Sequence, residues 1–198
     1  MRWERFFEDL QGQFDAEWEA ERAVLDTEAE RLRLSRVTLR ERLLVLARTD
    51  ATQRLDLTVD LLAADALIGV LTAVGADWMG LEVQRRSVLV PVASVSSVGM
   101  GESDLLRTAR PHPSPRVGVS ERMGMGFVLR DLARRRVPVT MQVGTRAVAG
   151  TIDRAGADHL DLALHDIDEP RRAASVRGYR LVPFTAVSWV RWEGVDVL

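Results

Sequence analysis

The chain has 198 residues, 46% of them hydrophobic, a formal net charge of −2 and no cysteine. This composition suits one large or two small globular domains, and it excludes disulfides, thiolate metal sites and a cysteine nucleophile. A near-zero net charge also argues against a chain that coats nucleic acid by bulk attraction.

The charge is nevertheless uneven. All 27 basic residues are arginine, because lysine is missing, as is asparagine. Residues 1–34 hold five arginines and ten carboxylates, whereas residues 105–136 hold eight arginines and two carboxylates. Only the second of these segments suits a polyanionic partner. The opening MRWERFFEDL is charged throughout, which predicts neither a secretory segment nor a membrane span, and so a cytoplasmic protein with no membrane partner.

In chain order, Trp3, Phe7, Leu10, Phe14, Trp18, Leu25 and Leu32 recur mostly at three- or four-residue spacing among acids. The spacing predicts a long amphipathic helix in a first segment, residues 1–36. Thr38-Leu-Arg-Glu41 has the form of a capping box and predicts a shorter helix with Leu39, Leu43, Leu46 and Ala47 on its apolar face. From Leu55 the period changes to two, through Leu57, Val59 and Leu61, Leu67 to Val74, Met79 to Val83 and Leu89 to Val98. These read as short strands of a first β domain, residues 37–100. Residues 101–119, with three prolines, read as a linker. A second domain, residues 120–198, then opens with a helix over Ser120–Arg136, Val128, Leu129 and Leu132 inward, before strands resume at Val139.

The two β segments share a plan. Gly69 and Gly75-Ala-Asp77 match Gly150 and Gly156-Ala-Asp158 at an offset of 81, and LVPVASVSSV (89–98) matches LVPFTAVSWV (181–190) at an offset of 92. The growth in offset places an insertion in HDIDEPRRAASVRGY, residues 165–179.

A short helix followed by five small strands, a glycine in the second strand (Gly69, Gly150) and Val176-Arg177-Gly178 before alternating apolar residues together resemble Sm-like, SH3-type proteins. The resemblance implies an α+β fold: a long N-terminal helix followed by two five-stranded antiparallel barrels, each preceded by a short helix. The whole arrangement also resembles an actinobacterial group labelled Fis-type transcription regulators, although no helix-turn-helix pattern supports DNA binding here. Sm-like rings hold RNA with an Asp and an Asn beside a stacking residue, and with the arginine of the second motif. By that resemblance Trp78, His159, Arg85 and Arg177 are candidate RNA contacts, and the missing asparagine removes base-edge selectivity.

The residues themselves allow plainer readings. Gly-Ala-Asp is turn chemistry that any strand reversal needs. With Met79, Leu81 and Val83 inward, alternation turns Trp78 outward, either to bind a base or to pack on a neighbouring element. Alternation also puts His159, Asp161 and His165 on one outer face, but His159 and His165 would be ~20 Å apart on a strand, too far to share a metal ion. No nucleophile elbow or phosphate loop occurs, so no enzyme and no cofactor are expected.

Arg130, Arg134, Arg135 and Arg136 form a basic group with helical spacing, either a phosphate-binding face or a solvated helix end. Trp3, Phe6, Phe7, Leu10 and Phe14 suit a helix that docks in a protein partner or dimerises. Two functions from different classes follow. One is a non-enzymatic RNA-binding or RNA-associated regulatory protein. The other is a structural or regulatory adaptor using its N-terminal helix and its barrel edges, with a homo-oligomer allowed. A DNA-binding regulator is a third, weaker expectation.

Overall fold

A computed structural model of the chain describes residues 18–19, 22–48, 55–111, 118–169 and 171–193. The chain divides into two compact units, Met1–Leu39 and Arg40–Leu198. In the first, residues 22–36 form helix α1. Glu30 and Arg33 pair one turn apart at 2.6 Å, and Trp18, Val24, Leu25, Leu32 and Leu34 are exposed. The described helix is thus fifteen residues rather than the long helix expected from residue 2. Trp3, Phe6, Phe7, Leu10 and Phe14 lie outside the described residues.

Helix α2 (Leu39–Ala47) buries Leu43, Leu44 and Leu46 of the second unit. Five strands follow: β1 (Asp56–Leu61), β2 (Leu67–Val74), β3 (Trp78–Val83), β4 (Arg86–Pro91) and β5 (Val95–Gly99). Helices α3 (Glu102–Ala109), α4 (Val119–Arg122) and α5 (Met125–Arg135) separate them from β6 (Pro138–Val143), β7 (Arg146–Ala155), β8 (His159–Leu164), β9 (Gly178–Pro183) and β10 (Val187–Trp192).

All ten strands belong to one sheet, in the order β5-β1-β2-β3-β4-β10-β6-β7-β8-β9. This corrects the expectation of two separate five-stranded barrels. The edge of β4 that would have ended the first set hydrogen-bonds to β10 of the second, antiparallel, with Leu89 opposite Val190, Val88 opposite Arg191 and Ser87 opposite Trp192. Pairing there satisfies a row of backbone groups that would otherwise form an exposed edge.

The repeat seen in the sequence extends to the hydrogen-bond register. Leu57 faces Gly69 where Val139 faces Gly150, and both β2–β3 and β7–β8 shift register at the same place, between Leu71 and Ala73 and between Ile152 and Arg154. Gly69 and Gly150 stand where a Cβ would strike the carbonyl oxygen of the neighbouring strand, Glu82 and Ala163 respectively. The insertion lies where the offsets place it. Gln84 and Arg85 alone connect β3 to β4, while residues 165–177 connect β8 to β9. Gln84 (φ 51°) and Arg85 (φ 65°) both take left-handed conformations, the requirement of a tight two-residue hairpin.

The stretch expected as a linker holds helix α3. Glu102 and Asp104 occupy its first turn and Arg107 its last, which complements the helix dipole. Arg42 of α2 donates to the buried Thr108 hydroxyl at 2.7 Å, which ties α3 to α2. The single helix expected over Ser120–Arg136 is broken at Met123 and Gly124, where the backbone is extended. Val128, Leu129 and Leu132 are buried as expected.

Candidate functional site

The two Gly-Ala-Asp turns have one backbone design and two surroundings. In each, the glycine N–H donates to the carbonyl three residues on: Gly75 to Trp78 and Gly156 to His159, both at 2.8 Å. The ring of that fourth residue folds back over the glycine. A Cβ on Gly75 would collide with the Trp78 indole, and one on Gly156 would come within 2.8 Å of the His159 ring. Glycine is therefore required at the first turn, where the buried indole and the Met123 carbonyl leave no room for a Cβ; at the second the close neighbour is an exposed ring that can shift. An arginine also reaches each glycine carbonyl, Arg40 to Gly75 at 2.7 Å and Arg130 to Gly156 at 3.2 Å.

The surroundings differ because only the first turn meets the other half of the repeat. Asp77 Oδ1 accepts the backbone N–H of Met125 at 2.6 Å, so it satisfies an orphan donor in the first turn of α5. Ala76 N and Trp78 Nε1 both donate to the Met123 carbonyl, at 3.0 and 2.9 Å. Trp78 is 3% exposed. Alternation turns Trp78 away from the core of its own strands, and of the two readings that allowed, the structure shows packing: the ring enters the core of the second five strands. A base has no access to it. In the second turn His159 is exposed, and its Nδ1 hydrogen-bonds to the Asp158 carboxylate at 2.8 Å. That bond holds the Asp158 carboxyl below its ordinary range.

The β4–β10 seam is a mutual insertion of side chains. Val88 and Val90 of β4 are buried in the first core, while Leu89 between them is buried in the second. From the other side, Val190 lies in the second core and Trp189 packs against the first. Arg191 lies over the Trp189 ring, 5.2 Å from its centroid. Ser94 donates to the Val187 carbonyl at 2.8 Å, and Arg86 pairs with Glu193 at 2.6 Å.

The outer edges of the sheet, β9 and β5, are the counterparts of β4 and β10, and among the described residues no strand pairs with their free sides. On β9, Leu181 is 70% exposed, where its counterpart Leu89 is fully buried. Tyr179 beside it is 62% exposed. On β5, Val95 and Val98 are half-buried, whereas Val187 and Val190 are wholly buried at the seam. Sequence reasoning missed these edges as specific residues, although the offset of 92 contains the signal: it aligns Leu181 with Leu89.

Of the arginines expected as nucleic-acid contacts, Arg130, Arg134, Arg135 and Arg177 bond within the chain. Arg134 and Arg135 both pair with Asp131, at 2.6 and 3.6 Å. The Arg134 hydrogen bond lowers the Asp131 carboxyl from its ordinary range. Arg177 bonds to Asp166 within the insertion. Arg130 donates to the Gly156 turn, Arg85 forms the β3–β4 turn, and Arg136 ends α5 in a left-handed conformation (φ 53°). All six of these arginines are exposed, and the side chains of Arg134 and Arg177 are mostly in solvent.

His165, read from alternation as outward with His159, is instead fully buried. Its Nδ1 lies 2.8 Å from the Asp166 carbonyl and its Nε2 2.8 Å from the buried Thr151 hydroxyl. The carbonyl can only accept, so Nδ1–H donates, and in the neutral imidazole Nε2 then accepts from Thr151. Among the described residues no three His, Asp or Glu side chains gather as metal ligands. No described helix is long and apolar enough to cross a membrane. No protein-family model matches the chain, and no curated protein matches it.

Proposed function

We propose that this chain is a non-enzymatic protein-interaction scaffold, a structural or regulatory adaptor that works through the outer edges of its sheet. The observation that carries this reading is the β9 edge. It presents unpaired backbone with Leu181 and Tyr179 in solvent, and Leu181 matches in sequence and register a leucine that is buried across the internal seam. Long exposed edges with apolar side chains invite strand addition, and Arg180 is the only charge on this one.

RNA binding is the second reading. It draws on the Sm-like residue pattern at Gly69, Gly150 and Val176-Arg177-Gly178, and on the exposed guanidinium groups of Arg134 and Arg177. The buried Trp78 and the arginine–aspartate pairs favour the scaffold. One experiment separates the two: immobilised protein is offered a mixed RNA pool and a cell extract at two salt concentrations. Wild type is compared with Leu181→Arg and with Arg134, Arg135 and Arg136 changed together to Ala. The scaffold reading expects protein retention that is lost with Leu181→Arg, and little RNA retention. RNA retention that falls with salt and with the triple substitution, beside protein retention indifferent to Leu181→Arg, refutes it.

A further inference from the structure

The two Gly-Ala-Asp turns match in shape, and among the described residues only the first holds another segment of the chain. The bonds that set the backbone are the same in both. Each glycine N–H donates to the carbonyl three residues on, and each glycine carbonyl accepts an arginine, Arg40 or Arg130. The aspartate carbonyl accepts the N–H of Val92 at 2.9 Å in the first turn and of Phe184 at 2.7 Å in the second. The first turn adds its ligand. Met123 and Gly124 are extended and lead into α5, and the turn grips this start at two points. Ala76 N–H donates to the Met123 carbonyl, and Asp77 accepts the N–H of Met125, two residues on.

In the second turn the equivalent groups face solvent. Ala157 and Asp158 are exposed, and among the described residues the Ala157 N–H meets no acceptor and Asp158 meets no backbone N–H of another segment. From this we infer that the Gly156–His159 turn is a docking site for the start of a helix in a partner protein. The partner is held through the carbonyl of an extended residue and the backbone N–H two residues on, and its first helical turn carries no acidic side chain. The inference goes beyond the scaffold reading, because the site is a turn rather than a strand edge and does not use Leu181.

Charge decides which helix starts fit. The N–H groups and partial positive charge of a helix start suit an aspartate, whereas an acidic residue in the first turn sets a like charge beside it. The chain follows this rule within itself. Glu41 stands in the first turn of α2, Glu102 and Asp104 in that of α3, and Glu121 in that of α4; α5, the helix seated on a turn, has no acid there. Since α5 is already engaged, none of the other helix starts described for the chain meets the requirement, and the occupant belongs to a different protein.

His159 sets the strength of the site. In the first turn the Trp78 indole supplies a further bond to the Met123 carbonyl. In the second, the Asp158 carboxylate can only accept, so His159 Nδ1–H donates to it and Nε2 of the neutral ring has no proton to give. The carboxylate keeps acceptor capacity for a further N–H, because its two oxygens offer about four lone-pair sites. The second turn therefore grips a helix start with two exposed groups and no indole, and its binding is weaker than that of α5 and reversible.

The test uses isotopically labelled full-length protein and a capped synthetic peptide of residues 119–136, the chain's own example of the ligand. Amide shifts are followed by nuclear magnetic resonance during titration. Two altered peptides serve as comparisons. Met125→Pro suits the first position of a helix but removes the N–H, and Met125→Glu adds an acid to the first turn. Saturable shifts are expected at Ala157, Asp158 and His159, lost with the Met125→Pro peptide and weakened with Met125→Glu. In the protein, Asp158→Ala should weaken binding by about tenfold or more, and His159→Trp, which installs the missing indole, should tighten it by about fivefold.

Absence of shifts at the second turn overturns the inference, as does binding that is indifferent to Asp158→Ala or to loss of the Met125 N–H. Shifts at the same three amides that grow with concentration in the protein alone, and vanish with Asp158→Ala, mean that a second copy fills the site, and they overturn the choice of occupant. Leu181→Arg should leave the peptide affinity unchanged. A fall with that substitution means that the peptide adds to the strand edge instead, which overturns the turn site while leaving the scaffold reading in place.

Discussion

Replacing Trp78 by alanine should destabilise both halves of the sheet at once. The side chain belongs to β3 of the first five strands, yet it is 3% exposed within the core of the second. Burial of an aromatic ring of this size removes about 200 Å2 from water, which at about 25 cal/mol per Å2 contributes about 5 kcal/mol. Buried tryptophan-to-alanine changes elsewhere cost about 3–5 kcal/mol, because neighbours relax partly into the space. The hydrogen bond adds little, since the Met123 carbonyl keeps its second donor, Ala76 N, when the indole is lost. Trp78→Phe isolates that contribution and should cost no more than about 1.5 kcal/mol beyond the change in ring size. The assay is equilibrium urea unfolding followed by far-ultraviolet circular dichroism. The expected outcome for Trp78→Ala is a loss of about 3–5 kcal/mol in a single transition. A loss below about 1 kcal/mol would mean that the ring does not enter the second core, and the seam described here would be wrong.

The other predictions concern single groups. Asp77→Ala removes the acceptor at the start of α5 and should cost about 0.5–2 kcal/mol by the same unfolding assay, whereas Asp158→Ala, at the exposed second turn, should leave the melting temperature unchanged. Thr151→Val leaves the buried His165 Nε2 without a donor and should cost about 1–3 kcal/mol. Arg85→Gly relieves a left-handed conformation at the β3–β4 turn and should raise stability by about 1 kcal/mol; an unchanged or lower melting temperature would contradict that turn geometry.

Much of this was legible in the residues because it is local. The change of hydrophobic period at Leu55 marks the start of the strands, the two offsets locate the repeat, and their difference locates the insertion between His165 and Arg177. The alternation at Leu160 and Leu162 places both residues correctly in the core. The seam was not legible, because pairing between β4 and β10 joins residues about a hundred positions apart and leaves no periodic trace. Alternation turned Trp78 outward correctly, but which element receives its ring was not legible for the same reason. Alternation assigns a residue to one face or the other of its own strand, and it assumes that only one of those faces has a core. Leu89 breaks the assumption in the same way, buried on the opposite side of β4 from Val88 and Val90. His165 was misread because it stands just beyond the end of β8, where the alternation no longer applies. Helix α3 was hidden by its surroundings: the prolines that mark a linker begin only at residue 111, after the helix has ended.

The turns show how a repeated motif acquires unequal roles. Gly-Ala-Asp is used twice as backbone architecture, but Asp77 and Trp78 also bind α5, and Asp158 and His159 do not. The difference follows from position, since only the first turn lies beside another half of the same chain.

The continuity of the sheet across β4 and β10 underlies each of these statements, and backbone contacts measured by nuclear magnetic resonance on isotopically labelled protein test it most directly. Spectra taken at low concentration should show close cross-strand contacts between Val88 and Arg191 and between Leu89 and Val190, with the amides of β4 and β10 as slow to exchange as those of β3. Absence of those contacts, with β4 exchanging as fast as the free edge β9, would show two independent five-stranded halves and would contradict the account.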